Sequence, residues 1–455
     1  MSLPSRTIHT LRDPWVWLGL AGTAAMAWGG TNDEFSFSPD GWPNQVVKAL
    51  GAAAFQPLDK ILIVLGAIAL TTGWWHVRPT RTRPPVHTGL TLTLWCLPLL
   101  LVPPLLSPDA TLYADVGWTA NAGADPYLVG LGTLGGPYAV QVDPLWAGNG
   151  VAYPPLAVIL ARAMVALAGA DPYWGFVAMR LPVVASVAVM FAVMPKLAVA
   201  FGLHLRRTMW LGLLNPLLVI HIVGGAHNDA PMIAVTLVAI WLAVRWPRAW
   251  MSLLVAPVVV GVAMALKQQG GLAVVAVAGL PVAARLASLP RWPRLRTLGW
   301  RTATATAVTC ASFAAICLAS GLGFGWIRWL DLMGKAWTPA PLALLSKLGT
   351  WAWQFGGGDA DAFARAAGLV CTAILAVVVL GIVVRFADRP MHAVAWGALA
   401  VAILGEAMHP WYLPWGLALL GLLPLTQKQR RWVWGLALAF TVWNAFQTVI
   451  WHGQP

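Results

Sequence analysis

The stretch VAYPPLAVILARAMVALAG, residues 151–169, is apolar enough to cross a bilayer, yet it opens on Tyr153-Pro154-Pro155 and carries Arg162 near its middle. Whether it spans the membrane or lies on it sets the side on which every neighbouring segment emerges. A crossing helix needs about 20 apolar residues. Runs of roughly that kind occur near 14–31, 58–77, 88–106, 174–200, 207–224, 229–246, 250–267, 270–286, 302–323, 364–385, 391–408, 411–425 and 431–451. If 151–169 does not cross and the N-terminus is cytoplasmic, the inner loops hold 19 of the 29 basic residues: Arg6, Arg12, Arg78, Arg81, Arg83, Arg206, Arg207, Arg245, Arg248, Arg285, Arg291, Arg294, Arg296, Arg301, Arg385, Arg389, Lys428, Arg430 and Arg431. The outer segments then hold six. A crossing at 151–169 would strand the basic clusters before it or after it on the wrong side, against the bias of cytoplasmic loops toward Lys and Arg. The expectation is an interfacial helix at 151–169 on the outer leaflet. With it go 13 transmembrane helices, the N-terminus inside and the C-terminus outside.

Composition agrees with this class. Hydrophobic residues make up 59% of the 455 and charged residues 10%, against about 25% charged in soluble domains. The net charge of +13 is accounted for by short basic clusters between apolar runs, so it implies membrane lipids as partners and no nucleic acid. Cys96, Cys310, Cys317 and Cys371 all lie within apolar runs, without the spacing of a metal site or a disulfide framework. The basic, then apolar, N-terminus resembles a signal peptide but is read as a retained first helix. The chain is expected to be one polytopic all-α domain, 1–455. Two long segments, 107–173 and 324–363, face outward, and the second alternates tryptophans with basic residues as an interfacial helix does.

The candidate chemistry sits in the outer turns. Asp125, Asp143 and Asp171 each precede a proline and suit turn and helix capping. Asp109 instead follows a span directly, four residues before Tyr113; a carboxylate held at that depth can accept a proton from an attacking hydroxyl. Arg180 and Lys267 are cations on the outer side, where topology does not call for them, and suit a phosphate leaving group. The segment NPLLVIHIVGGAHNDAP, 215–231, puts His221, His227, Asn228 and Asp229 at an outer turn, where buried polar groups imply a wet cavity. GEAMHPWYLPWG, 405–416, adds Glu406, His409, Trp411, Tyr412 and Trp415 at another. The six-residue spacing of His221 and His227 is not a helical ligand pair, so no metal site is expected.

Together SPDATLY, GADPY, VDPLW, YPPL, the Arg-Leu-Pro at 180–182, the His-Asn segment and WYLPW resemble the multispanning GT-C-type glycosyltransferases that use polyprenyl-phosphate sugars. Within that group they are similar to the actinobacterial α-1,6-mannopyranosyltransferases. The resemblance runs from about 105 to 420. Asp229 stands where the family usually has glutamate, YPPL where it often has YGPL, and LKQQGG where a more apolar stretch follows the family's lysine. What the resemblance implies is an inverting, single-displacement hexosyltransferase in the plasma membrane with its active site outward. It would move mannose from polyprenyl-phosphomannose to a lipid-anchored α-1,6-mannan of the lipomannan type. Asp109 would be the base; Lys267 and Arg180 would face the phosphate. Tyr113, Asp125, Tyr127, Tyr153, His221, His227, Asn228, His409 and Tyr412 would bind substrate. No cofactor is implied, and a divalent-cation requirement stays open. A transferase for another polyprenyl-phosphate sugar, such as arabinofuranose, stays open beside it. So does a polyprenyl-lipid flippase, which would instead place paired polar half-helices at the midplane.

Overall fold

The structure is a computed structural model. It describes residues 3–32, 42–54, 57–80, 83–336 and 338–451; Arg81 of the inner-loop series and Trp337 of the second outer segment lie outside the described residues. Among these residues the secondary structure is entirely helical. In chain order the helices used below are α1 (Pro14–Gly29), α2 (Leu58–His76), α3 (Thr88–Cys96), α4 (Asp109–Asn121), α5 (Pro155–Leu167), α6 (Arg180–Ala200), α7 (Leu205–Gly212), α8 (Asp229–Arg245), α9 (Ala256–Leu266), α10 (Arg291–Ala319), α11 (Pro341–Phe355), α12 (Ala360–Arg385), α13 (Pro390–Leu404), α14 (Leu413–Leu420) and α15 (Gln427–Trp451).

All thirteen expected crossings contain helical backbone, but few are single unbroken helices. Five helices are long and apolar enough to cross by length and composition: Leu58–His76, Pro172–Ala200, Gln268–Ser288, Arg291–Ala319 and Ala360–Arg385. A sixth is a pair, Leu218–Gly224 with Asp229–Arg245, bent by 111°. Thr88–Leu99, Met251–Leu266 and Pro390–Leu404 are shorter apolar helices, and the run at 411–425 contains only the eight-residue α14.

Specific residues make the breaks. Asn215 caps the turn into Pro216 by accepting from the Leu217 N–H at 2.9 Å. A π-helical stretch over Leu218–Gly224 follows, and then Ala226 takes a left-handed φ of 54°, a conformation that costs a non-glycine residue energy and that clusters at functional sites. Lys267 is extended, at φ −158° and ψ 126°, and separates α9 from the turn that starts the next helix. Irregular backbone at membrane depth is tolerated where protein or a water-filled cavity surrounds it, and both breaks point at the same place.

Helix contacts are close where side chains are small. A Cβ on Gly22 of α1 would lie 2.6 Å from the Gly66 carbonyl oxygen of α2, so glycine lets these two backbones touch, the usual device between membrane helices. Helix α5 rises about 20 Å at 1.5 Å per residue over 13 residues, short of the roughly 30 Å hydrocarbon core. It lies along α4, where Gly117 meets the Ala161 carbonyl. In the second outer segment, α11 exposes Leu345, Leu348, Trp351, Trp353 and Phe355, and α12 has no buried residue; such apolar exposure suits contact with lipid.

Candidate active site

Helix α4 begins at Asp109, whose N–H donates to Ser107 Oγ at 3.2 Å. Four residues on, on the same helix face, the Tyr113 hydroxyl donates to Asp109 Oδ2 at 3.2 Å. The bent segment brings His227 across: its Nδ1 lies 3.4 Å from Asp109 Oδ2 and 3.4 Å from the Tyr113 hydroxyl. His227 is fully buried, and its Nε2 has no hydrogen-bond partner among the described residues. Trp411 stacks on His227 at 4.0 Å and on His409 at 4.4 Å, so the three rings form one pile beside the carboxylate.

Asp109 keeps 13% of its side-chain surface exposed, on the wall of a cleft of about 800 Å³ open to solvent, with Asp143, Trp146, Tyr153, His409, Trp411 and Tyr412 around it. Burial alone would push its carboxyl up. The hydrogen bond and electrostatic pull of His227, with the charge of Lys267, outweigh burial and hold the group below its ordinary value. Burial, aided by His227 and Lys267 and against the pull of Asp109, pushes His409 down to about 4. At neutral pH Asp109 is therefore ionised and His409 neutral.

A second layer stands behind the aromatic wall. Lys267 Nζ donates to Asp229 Oδ1 at 2.8 Å, with 4% and 0% of the two side chains exposed. The same oxygen accepts from Trp415 Nε1. The ammonium lies 4.7 Å from the Tyr412 ring, 5.3 Å from Trp415 and 5.7 Å from Tyr153, within cation–π range. Tyr127 supports the wall by donating its hydroxyl to the Tyr153 carbonyl at 2.8 Å.

A narrow apolar groove, about 510 Å³ with its open mouth counted but with only about 30 Å³ of room inside for a water-sized sphere, runs along the other side of Tyr113 and Tyr153. Helices α4, α5, α6 and α8 line it with Val116, Ala157, Val158, Met179, Val183 and Pro231, and Asn228 lies at its polar end. The two tyrosines are thus shared between a wet cleft and a greasy groove.

The remaining sequence candidates fall in several places. Asp109, Tyr113, Tyr153, His227, His409 and Tyr412 converge. His221 is fully buried 6.4 Å from the His227 ring, with neither nitrogen partnered among the described residues. Arg180 donates to the carbonyls of Val223 (3.3 Å), Gly224 (2.8 Å) and Pro103 (3.2 Å), tying the bent segment to the end of the run at 88–106. Its NH1 is buried and unpartnered among the described residues. Asp125 accepts from the Tyr127 N–H at 2.8 Å and Asp171 from the Tyr173 N–H at 2.9 Å, capping work of the kind their Asp-Pro context suggests; Asp143 does the same for Leu145 at 2.8 Å while also lining the cleft. Sequence analysis places Asp229 at one outer turn and Trp411 and Trp415 at another, but no local signal joins Asp229 to Lys267 and Trp415. Among the described residues no group of three His, Cys, Asp or Glu side chains could hold a metal ion.

A helical membrane bundle with an ionised carboxylate in a water-open cleft beside an apolar groove has the layout of an integral membrane enzyme. Residues 16–285 match the family described as Alpha-(1->6)-mannopyranosyltransferase, N-terminal domain, and residues 339–447 match the MptB C-terminal domain. The chain belongs to this family of α-(1→6)-mannopyranosyltransferases, glycosyltransferases of the membrane. It is 30% identical to the probable alpha-(1->6)-mannopyranosyltransferase of Mycolicibacterium smegmatis, over 80% of this chain and 70% of that one. It is 28% identical to alpha-(1->6)-mannopyranosyltransferase A of Mycobacterium tuberculosis, over 87% and 83%. With alpha-(1->6)-mannopyranosyltransferase A of Corynebacterium glutamicum the identity is 26%, over 86% and 83%. No solved structure matches.

Proposed function

We propose that the chain transfers mannose from a polyprenyl-phosphate donor to the 6-hydroxyl of a lipid-anchored α-1,6-mannoside at the outer face of the plasma membrane. The observation that carries this reading is the position of Asp109 between two differently lined spaces. The apolar groove suits a polyprenyl chain and the wet cleft suits a glycan, with the tyrosine wall between them. Asp109 takes the proton of the acceptor hydroxyl as its oxygen bonds to the anomeric carbon. The bond to phosphate breaks on the opposite side, and polyprenyl phosphate leaves with the electron pair. One base suffices for such an inverting displacement. The thirteen-span arrangement, with N-terminus inside and residues 107–173 and 324–363 outside, is part of the same proposal.

The direct test supplies purified chain with labelled polyprenyl-phosphomannose and a short α-1,6-mannoside, and in parallel with a mannose nucleotide. Product from the lipid donor alone is expected. Product from the nucleotide alone would refute the donor assignment.

The pH profile offers a finer check. Protonating Asp109 disables the base, so transfer is lost as pH falls through its pKa. Because His227 holds that pKa down against burial, His227→Gln should move the acidic limb of the profile to higher pH. An unmoved limb would separate His227 from the base.

A further inference from the structure

Helix α6 leaves Arg180 beside the site and runs 21 residues, about 30 Å at 1.5 Å per residue, to the opposite end of the bundle. Two adjoining clefts lie there, of about 1080 and 730 Å³ including their open mouths, and both are lined by His204 and Arg207. Three separate chain segments bring cations to them. Arg78 and Arg83 follow α2, Arg206 and Arg207 open α7, and Arg430 lies in the first turn of α15. Among the described residues no acidic side chain lines either cleft.

Two of these cations are held in place. Arg83 NH2 donates to both oxygens of Asp13 at 2.9 Å. Arg78 donates to the Trp75 carbonyl at 2.6 Å and lies 4.2 Å over its ring. Underneath, Trp74 and Trp210 stack at 4.5 Å and each donates its indole N–H to the other's carbonyl, while Trp434 packs edge-on to Trp210 at 5.3 Å. On the wall of the smaller cleft, Arg430 Nε and Trp434 Nε1 are buried donors with no acceptor among the described residues. A buried donor left unpaired costs free energy, and an anion in the cleft would supply the missing acceptors.

We propose that these paired clefts bind the phosphate head group of an anionic phospholipid on the membrane face opposite Asp109. The charge-only explanation, that arginines collect on the cytoplasmic side, accounts for their number but not for two orphaned donors on α15 facing a cleft that Arg207 of α7 also lines. The occupant is a lipid because Leu203, Leu211, Leu423 and Leu425 line the same cleft as Arg207 and Arg430, which suits a molecule with both a charged head and an apolar body. The site stands apart from the transferase reading, since none of its residues touches the Asp109 cleft.

The test titrates the detergent-purified full chain with phosphatidylglycerol or phosphatidylcholine and counts retained lipid by native mass spectrometry. Wild type should retain phosphatidylglycerol on the order of tenfold more strongly. Arg207→Ala with Arg430→Gln should abolish the preference, and Arg207→Lys should keep most of it. Arg296→Ala, which removes a charge from an exposed position outside the clefts, should change nothing. Should the double variant fail to purify, Arg430→Gln alone is read against Arg296→Ala in the same way. Equal retention of both lipids by wild type overturns the proposal. So does an unchanged preference in a well-folded double variant, or an equal loss in Arg296→Ala. Displacement of phosphatidylglycerol by millimolar glycerol 3-phosphate would reassign the clefts to a free anion and overturn it as well.

Discussion

Asp109→Asn is expected to lower transfer about 10²- to 10⁴-fold, the range that a positioned general base contributes, with membrane expression and melting temperature unchanged. The substitution keeps the shape of the side chain, so Tyr113 still finds an oxygen acceptor and Ser107 still receives the Asp109 N–H, a backbone contact. What disappears is the negative charge that pairs with His227 and the lone pair that takes the acceptor's proton. The partners that hold the carboxylate ionised outweigh its burial, so losing the charge forfeits only a small net stabilisation and leaves the variant folded. That separation of fold from activity makes the experiment decisive. Equal transfer by wild type and variant would exclude Asp109 as the base. Asp143 would then be tested next, because it lines the same cleft, whereas Asp115 is occupied by the Gly132 N–H at 2.8 Å.

The candidate base was legible because its signal is local: a carboxylate directly after an apolar run, one helical turn before a tyrosine, needs no knowledge of distant packing. The membrane class was legible for the same reason, since hydropathy and charge bias are properties of single segments. The helix breaks were half legible. Asn215-Pro216 and the glycines before His227 mark a turn, but the π-helical stretch between them depends on how Val223 and Gly224 offer carbonyls to Arg180. Lys267 reads as the end of one span and the start of another, and its extended backbone follows from the pull of Asp229 38 residues earlier. The aromatic pile of His227, Trp411 and His409 was out of reach. Each tryptophan near an outer turn has a sufficient explanation in the interfacial belt, and only tertiary packing tells a belt residue from one stacked on a histidine beside the candidate base.

The Lys267–Asp229 pair should give the second large effect, and it separates a structural role from an electrostatic one. Lys267→Met leaves Asp229 buried with a full charge and no cation, and Asp229→Asn does the reverse. Removing one partner of a buried pair costs about 3–5 kcal/mol, so each single variant should melt well below wild type and transfer poorly for that reason alone. Replacing both together, Lys267→Met with Asp229→Leu, removes the uncompensated charge, and apolar replacements of buried pairs are often neutral or stabilising. The double variant should therefore regain most of the wild-type melting temperature. Transfer should stay depressed about 10²- to 10³-fold, the loss seen when a preorganised group facing developing negative charge is taken away. The ammonium lies behind the Tyr153 and Tyr412 rings, close enough for its charge to help hold Asp109 ionised and to favour a phosphate placed against that wall. If the double variant instead melts and transfers like wild type, the pair is scaffolding. The leaving phosphate must then be met elsewhere, and Arg180, with its NH1 buried and unpartnered among the described residues, becomes the group to replace next.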